Sequence, residues 1–379
     1  MRKIFIVIER RADYSRYKPI LELLTKDPFF KIHLVVTGIN LLKDHGHDIQ
    51  KIKSDGFNIS ATLPMFKEQQ PDTGAEMVRA MARFMTPVID ELEKAKPDLV
   101  ITGFDIGANF ATTVAAAHMN LPVAHIQGGE ITGNIDEALR HAMTKFAHYH
   151  FPATQIAKSR LIRMGENPKH IFVVGCPSLD LLLKTPTISK TDLEKQLNLD
   201  LSKPTILVIQ HPVTTESTKS LAQINQTIEA IKDLNLQALF LLSNNDAGCS
   251  PIIKKIKQSN LNWLPSLEVE KFAVLYRHIK AIVGNSSSGI HEAASFKVPT
   301  INIGTRQHGR LRPKNVIDVD HDKPAIKVAI KKALFDKKFL NSLKNLENPY
   351  GDGKAAPRIV KVLKKLKLDQ SITQKKFYE

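Results

Sequence analysis

The sequence has few of the residues and runs that would place the protein outside the cell or in a membrane. Its only two cysteines, Cys176 and Cys249, lie too far apart to suggest a disulfide framework or a cysteine-based metal site. The apolar run from Ile4 to Ile8 is too short for the core of a signal peptide, and no run approaches membrane-spanning length. A cytosolic protein is therefore expected.

Motifs of metal enzymes and of phosphate-loop NTPases are also missing. The sequence contains no GxxxxGK[ST], no HExxH and no Asp-rich magnesium loop. His148 and His150 would share one face of a strand, but no third ligand stands at a suitable spacing, so both are expected to be structural histidines. No metal and no redox cofactor is implied.

Acidic residues are outnumbered, with 38 Asp and Glu against 54 Lys and Arg, which gives a net charge of +16. After Gly353, eight basic residues face two acids, which is one sign of a nucleic-acid or membrane surface. However, Ile359, Val362, Leu363 and Leu366 have the spacing of an amphipathic helix docked on a core. A docked helix is favoured over nucleic-acid or membrane binding, and the positive charge equally suits a phosphate-bearing substrate.

Short apolar runs alternate with helical segments along most of the chain. The runs that predict buried parallel strands are KIFIVIE, KIHLVVTG, DLVITGF, LPVAHIQGG, IFVVGC, TILVIQHP, ALFLLSN, AIVGNSSSG and PTINIG. Helices are predicted over 74–94, 108–119, 136–146, 217–234 and 288–296. This alternation is typical of a doubly wound α/β fold.

A polar segment after GCPSLDLLL interrupts the strand pattern and divides the chain. We predict two Rossmann-like doubly wound domains that face a cleft, because the length is too great for one ordinary core. The first would cover 1–184 and the second 185–354. The basic helix within 355–379 would pack back on the first domain.

Polar clusters follow several predicted strand ends, which is where open parallel sheets bind ligands. In ERRADYSR, Arg11 and Ser15 could bind a phosphate, although a plain loop with a helix cap around Asp13 is the alternative. In GFDIGAN, Asp105 is either a helix cap or one of a pair of cleft carboxylates with different pKa values. In QHPVTTES, His211 could donate to a phosphate or be structural.

The segment GNSSSGIHE carries the strongest sign of an anion site, because three serines and a glycine lead into a helix and offer hydroxyl and backbone N–H donors. Glu292, one turn later, could accept from ribose hydroxyls. A second dense segment, HIQGGEITGNIDEALRH at 125–141, follows a predicted strand with several ionisable groups. It is either a reaction site or the polar start of a helix.

Together, RADYS, HIQGGEITGNIDEALRHAMTKFAHYHF, QHPVTTE and GNSSSGIHEAASFKVPTINIGTRQHGR resemble the UDP-N-acetylglucosamine 2-epimerase family, in its hydrolysing branch that serves sialic and legionaminic acid synthesis. The resemblance runs from residue 3 to about 335, with the motifs in the family's order. It implies a GT-B-like pair of Rossmann domains. It also implies cleavage of a UDP-sugar to UDP and a free manno-configured sugar, through a glycal-like intermediate.

The same resemblance assigns roles to single residues. It implies that the nucleotide is held mainly by the second domain, through Ser286, Ser287, Ser288, Gly289, Glu292 and Asn244. Residues implied to contact the phosphates or the sugar are Arg11, Ser15, His211 and Arg306. The implied catalytic region contains Asp105, Gln127, Glu130, Asp136 and Arg140. A homo-oligomer, dimer or tetramer, is expected on the same basis.

Two positions depart from the family pattern. Many hydrolysing members have Glu where this chain has Gln127, and Arg where it has Ile106. An amide cannot exchange the C2 proton, so either Asp105, Asp136 or Glu130 takes that role, or Gln127 marks a sub-branch that recognises a different sugar through its amide. We favour the second interpretation, because the loss of an Arg beside the sugar also suggests a less polar substrate, such as UDP-N,N′-diacetylbacillosamine. UDP-N-acetylglucosamine is the other candidate. Alternatives are a non-hydrolysing epimerase, a GT-B glycosyltransferase and a UDP-sugar-binding regulator without activity.

Overall fold

The computed structural model describes residues 1–43, 48–104, 107–184, 188–368 and 370–379, without the side chain of Gln370. Within these residues two six-stranded parallel sheets form. The first contains β1 (Arg2–Ile8), β2 (Phe30–Thr37), β3 (Ala61–Leu63), β4 (Leu99–Gly103), β5 (Val123–Ile126) and β6 (Tyr149–Phe151). The second contains β7 (Thr205–Ile209), β8 (Gln237–Leu241), β9 (Asn262–Leu264), β10 (Ala281–Gly284), β11 (Thr300–Ile303) and β12 (Val316–Val319).

Helices connect the strands and cover both faces of each sheet. They are α1 (Arg11–Leu24), α2 (Ile49–Ser54), α3 (Gly74–Ala95), α4 (Gly107–His118), α5 (Ile135–Phe146), α6 (Gln155–Arg163), α7 (Ser178–Leu182), α8 (Lys190–Leu197), α9 (Ser220–Leu234), α10 (Cys249–Lys257), α11 (Val269–Tyr276), α12 (Ser288–His291), α13 (Lys323–Phe335), α14 (Lys337–Ser342) and α15 (Ala355–Lys365). None of the described helices is both long and apolar enough to cross a membrane.

The strand order is β3-β2-β1-β4-β5-β6 in the first sheet and β12-β11-β10-β7-β8-β9 in the second. Each order runs outward in both directions from a central pair, β1 and β4 or β7 and β10, which is the doubly wound Rossmann arrangement. The predicted α/β class is confirmed. Each sheet is covered on both faces by a separate apolar cluster, which explains why its strands read as continuous apolar runs.

The prediction of a strand at IFVVGC is wrong. Of this run, only Ile171 forms a bridge, to His150, although the Phe172 and Val174 amides still donate to the His150 and Pro152 carbonyls at 2.9 and 3.1 Å. Gly175 has a φ of +95°, which an extended strand does not adopt, so backbone conformation ends the pairing. The run is apolar because Val174 and Cys176 are buried beside the sheet. Strands β3, β9 and β12, each of three or four residues, were missed, while β6 is the strand expected around His148 and His150.

The helix predicted over 288–296 is interrupted. Regular α-helix ends at His291, and a 3-10 helix covers Ala293–Phe296. Thr300 Oγ1 donates to the carbonyl oxygen of Gly289 at 2.9 Å. In a continuous α-helix, this carbonyl would accept from the backbone amide four residues later. A side chain of the neighbouring strand therefore replaces the helical bond.

The basic C-terminal segment packs on the first sheet's domain. Ile359 and Leu363 of α15 are fully buried in the same apolar cluster as Tyr17 of α1. Further on, Lys375 Nζ donates to the carbonyl oxygens of Thr144 and Ala147 at 2.8 and 2.6 Å, at the end of α5. The domain boundaries at 184 and 354 remain predictions, since the strands alone do not define them.

Candidate active site between the two sheets

The carboxyl ends of the central strands of both sheets face a common cleft. Gly284 at the end of β10 has a φ of +128°, and a Cβ there would lie 2.1 Å from the carbonyl oxygen of Ile209 on β7. Only glycine fits this approach. Directly after it, the Asn285 side chain accepts from the His211 amide at 2.7 Å and donates to the His211 carbonyl at 2.9 Å. These paired bonds fix the loop that carries His211.

A chamber of about 990 Å³ lies on the second sheet's side of the cleft. Its apolar part is formed by the ends of β7 and β8 and by the segment before α11, and its polar part by serines, arginines and His211. The lining includes Arg11, Ser15, Arg16, Ser178, His211, Leu241, Leu242, Asn244, Pro265, Leu267, Phe272, Ser286, Ser287, Ser288, Glu292 and Arg306. An apolar slot joined to a group of phosphate-binding donors suits a nucleotide. We call this chamber the nucleotide pocket.

His211 is neutral in this pocket. Its Nδ1 accepts from the backbone N–H of Asn244 at 3.3 Å, so the ring proton is on Nε2. Burial, together with the charge of Arg306, lowers the pKa of His211 to about 3. A neutral imidazole that donates from Nε2 can bind a phosphate oxygen throughout the physiological pH range.

Glu292 lies at the far side of the nucleotide pocket and is buried. Burial raises its pKa. The hydroxyl of Tyr276 lies 3.5 Å from Glu292 Oε2 and donates to the Ser288 carbonyl at 3.1 Å. Gly289 does not line the pocket, since a Cβ there would be 2.5 Å from Thr300 Cγ2. Its absent side chain allows the turn to pack on β11.

A second chamber of about 650 Å³ continues from the first toward the first sheet. It is more polar and includes side chains from both domains. The lining includes Arg10, Asp13, Arg16, Phe104, Gln127, Glu130, Thr132, Asn134, Asp136, Arg140, Asn244, Ser287, His291, Arg306, Gln307 and Arg310. Because Arg16, Asn244, Ser287 and Arg306 line both chambers, a ligand could extend from one into the other. We call this chamber the polar pocket.

Glu130 is the most strongly paired carboxylate of the polar pocket. His291 Nε2 lies 3.0 Å and Arg310 NH2 3.4 Å from its Oε2, and both come from the second domain. Burial would raise the pKa of Glu130, but the hydrogen bond from His291 and the charges of Arg310 and Arg140 outweigh burial and hold it below the usual range. Burial lowers the pKa of His291 itself to about 4, so its ring donates to Glu130 as a neutral group. Glu130 is therefore an ionised structural link between the domains. It is poorly suited to carry a proton.

Asp136 and Arg140 lie on α5, which begins beside the polar pocket. Asn134 caps the helix by accepting from the Asp136 amide at 3.2 Å, and its Nδ2 donates to Asp136 Oδ2 at 2.7 Å. Arg306 NH2 lies 3.9 Å from the same oxygen. Arg140, which is 1% exposed, donates to the Glu130 carbonyl at 2.8 Å. It holds the loop before the helix in place.

The other predicted site residues fall in different places. Arg11 lines the nucleotide pocket and donates from Nε to Asp48 Oδ2 at 2.9 Å, while the Ser15 hydroxyl donates to the Ala12 carbonyl at 2.8 Å. Asp105 lies outside the described residues, as does Ile106. The predicted roles of all these residues remain predictions.

The sequence did not single out as site residues several ionisable side chains that line or bound the polar pocket. They are Arg10, Asp13, Asp246, His291 and Arg310. Arg10 NH1 lies 3.0 Å from Asp246 Oδ1, which joins the two domains. Asp13 accepts from the backbone amide of Arg10 at 2.8 Å, the capping role that was the alternative to a site residue, and burial and Glu9 raise its pKa to about 7. The sequence offered one signal for Arg10, which is its position just after the end of the first predicted strand.

We expect the buried neutral histidines to make folding stability fall below pH 6.5. Burial lowers the pKa to about 3 for His125 and His211 and to about 4 for His148. Between these values and the unfolded value, the unfolded chain binds more protons, so each histidine contributes stability above pH 6.5 that is lost as the pH falls toward its folded pKa. The slope is about 1.4 kcal/mol per pH unit for each histidine.

Urea unfolding between pH 7.5 and 4.5 measures this slope. In the unmodified protein, the Val123 amide donates to His148 Nδ1 at 3.0 Å. His148→Asn keeps an acceptor for that amide and should lower the slope by about 1.4 kcal/mol per pH unit, the contribution of one proton. Substitution of the exposed His118 by Asn should leave the slope unchanged. A pH slope that is the same in His148→Asn and in the unmodified protein would contradict the burial of this ring as a neutral group.

Comparison with known proteins places this geometry in a family. The model of the UDP-N-acetylglucosamine 2-epimerase family matches residues 22–364. A UDP-N,N′-diacetylbacillosamine 2-epimerase (hydrolyzing) of Legionella pneumophila is 35% identical over 99% of both chains. A GDP/UDP-N,N′-diacetylbacillosamine 2-epimerase (hydrolyzing) of Campylobacter jejuni is 32% identical over 84% of both chains.

Solved structures of similar proteins have the same fold. The UDP-GlcNAc 2-epimerase of Neisseria meningitidis, bound to UDP-GlcNAc, superposes with a TM-score of 0.82 at 22% identity and covers 96% of this chain and 100% of its own. The Methanocaldococcus jannaschii UDP-GlcNAc 2-epimerase, in complex with UDP-GlcNAc and UDP, gives 0.80 at 21% identity and covers 96% and 99%. The GT-B-like arrangement of the two sheets is thereby confirmed.

Proposed function

The chain belongs to the UDP-N-acetylglucosamine 2-epimerase family, in its hydrolysing branch, and from this premise we propose that it converts UDP-N,N′-diacetylbacillosamine to UDP and the free manno-configured sugar. The observation that carries the proposal is the continuity of the two pockets. With UDP in the nucleotide pocket, the sugar enters the polar pocket, and the bond to be broken lies between them beside Arg306 and Ser287. The sugar would supply the synthesis of legionaminic or sialic acids.

The residues present suit the departure of UDP. As the C1–O bond breaks, its electron pair moves onto the β-phosphate, where Arg306, the Nε2 proton of His211 and the serines before α12 can stabilise the charge. A carboxylate removes the C2 proton, and the C–H electron pair forms the C1–C2 double bond of a glycal. Asp136 is the described candidate, and Asp105 is the second proposed one.

The second half of the reaction adds water. The oxygen of a water molecule bonds to C1 and a proton returns to C2 from the opposite face, so that the sum is hydrolysis with inversion at C2. Two carboxylates on opposite sides of the sugar are needed for this exchange. Gln127 is an amide at a position where many members have Glu, which leaves both steps to Asp136 and Asp105.

We also propose a cytosolic homo-oligomer. Both cysteines are buried thiols, and burial raises the pKa of each, which suits a reducing compartment. Sedimentation of the purified chain would give its oligomeric state.

Proton NMR in D₂O tests the reaction. The purified protein is incubated with UDP-N,N′-diacetylbacillosamine and, in a second tube, with UDP-N-acetylglucosamine. The proposal requires free UDP and a manno-configured sugar with deuterium at C2, formed faster in the first tube. Faster turnover in the second tube would identify UDP-N-acetylglucosamine as the preferred substrate instead. Binding of both sugars without turnover would favour an inactive UDP-sugar-binding regulator.

A further inference from the structure

Gln127 lies at the end of β5 in a backbone conformation that few residues adopt. Its φ is +57°, in the left-handed region, and its backbone N–H donates to the Phe151 carbonyl at 2.9 Å. Such a conformation costs about 1 kcal/mol or more in a residue other than glycine, so the surrounding structure must enforce it. The side chain is 3% exposed and lines the polar pocket. Its position is therefore fixed by the fold.

The orientation of the Gln127 amide is fixed by Glu130. Gln127 Nε2 donates to Glu130 Oε1 at 3.3 Å. The other carboxylate oxygen faces His291 and Arg310, which keep Glu130 ionised and thus able only to accept. Rotation of the Gln127 amide by 180° would place its oxygen against a carboxylate oxygen. The ion pair with Arg310 and the hydrogen bond from His291 therefore decide which way the Gln127 side-chain amide points.

The loop between these two residues is itself held rigid. Gly129 has a φ of +79°, and a Cβ there would lie 2.6 Å from the Ala157 carbonyl. Arg140 donates to the Glu130 carbonyl, and Arg160 donates to the Gly129 carbonyl. The separation of Gln127 and Glu130 is therefore set by packing and backbone bonds.

The remaining Gln127 atom is an acceptor without a partner. Oε1 is buried and has no hydrogen bond to any described residue. A buried polar atom of this kind costs about 1–3 kcal/mol unless a ligand satisfies it. Because Oε1 can only accept, the ligand group must be a donor.

We infer that Gln127, oriented by Glu130, is a fixed acceptor that binds an N–H or O–H donor of the sugar and selects for a neutral amide or hydroxyl there. The inference rests on the proposed function for the identity of the sugar. In this role Gln127 determines specificity and exchanges no proton, and Glu130 is its positioning residue. A hydrogen bond of this kind is made equally in the bound substrate and in the transition state.

The test uses Gln127→Met, which keeps the length of the side chain but has no oxygen. We expect KM for the UDP-sugar to rise by about 10–100-fold, the loss of one buried hydrogen bond. The value of kcat should change little, and the product should still carry deuterium at C2. The Kd of UDP alone should be unchanged. The control is Gln258→Met, on an exposed residue at the end of α10, which should change none of these values.

Gln127→Glu gives an independent measurement should the Met variant fold poorly. The new carboxyl group would lie beside ionised Glu130 and retain its proton at neutral pH, since two adjacent carboxylates resist joint ionisation. While this carboxyl group keeps its proton, its O–H donates to Glu130 and its carbonyl oxygen remains an acceptor, so we expect a KM for the UDP-sugar close to that of the unmodified enzyme. An increase in kcat that follows the ionisation of the new carboxyl group with pH would overturn the inference, because it would place a proton carrier at this position.

Binding separates this inference from the proposed function. Calorimetry with UDP-N,N′-diacetylbacillosamine and with UDP requires no turnover. If Gln127→Met binds the UDP-sugar more weakly but binds UDP with unchanged affinity, the acceptor role is supported, even if the unmodified protein hydrolyses neither sugar. Equal Kd values for the variant and the unmodified protein would overturn it, even if hydrolysis is confirmed.

Discussion

Asp136→Asn should lower kcat by about 10²–10⁴-fold, the usual contribution of a general acid or base. Asp136 lies in the first turn of α5 on the wall of the polar pocket, where its Oδ2 accepts from Asn134 at 2.7 Å. An amide has nearly the same shape but cannot remove or return the C2 proton. Deuterium incorporation at C2 and release of UDP, followed together in D₂O, measure the effect.

The other described carboxylates of this wall have different bonds. Glu130 is paired with His291 and Arg310, and Asp13 accepts from two backbone amides at the start of α1. Either group would have to give up these bonds to exchange a proton with a sugar. Asp136 is therefore the described carboxylate best placed for that exchange.

Glu137→Gln is the matched control for Asp136→Asn. Glu137 is the next residue of the helix, and its Oε2 accepts from the Thr132 amide at 2.6 Å, a bond that a Gln oxygen can keep. Its kcat should stay close to that of the unmodified enzyme. If Asp136→Asn retains more than about a tenth of kcat, the proton transfers belong to Asp105 instead.

The sequence predicts the parts of this fold that depend on periodicity. Eight of the nine apolar runs contain a strand, because strands buried on both faces must be apolar throughout. IFVVGC is equally apolar, but its extended conformation ends at Gly175, whose left-handed φ is a property of the folded backbone. The short strands β3 and β9 have too few residues for a pattern to be visible.

The candidate site was only partly visible for a related reason. Serines before a helix and a His after a strand are local signals, and His211 and Ser286–Ser288 do line the nucleotide pocket. The partners of Glu130 are His291 and Arg310, more than 150 residues away in the sequence. Such distant pairs depend on how the two sheets face each other. These partners turn Glu130 from a possible proton carrier into a fixed ion, and its position in the sequence alone could not predict that change.

The second large effect is expected for Arg306→Met, which should lower kcat by about 10²–10³-fold. Arg306 is 9% exposed and lines both pockets, and in the proposed reaction its guanidinium would lie beside the bond to the β-phosphate that breaks. Its NH1 donates to the Asn285 carbonyl at 3.3 Å, which holds the group beside the loop after β10. Methionine keeps much of the side-chain volume but removes the charge that balances departing UDP.

The ratio of two measurements decides how Arg306 acts. If it stabilises mainly the charge that develops on the β-phosphate, kcat falls much more than the affinity for UDP-sugar. If it only binds phosphate, KM rises and kcat is kept, which would contradict the proposed role. Arg306→Lys should recover only part of the activity, since an ammonium lacks the planar fork of donors. Arg79→Met, which removes an exposed partner of Glu76 at 3.3 Å, is the matched control and should leave kcat unchanged.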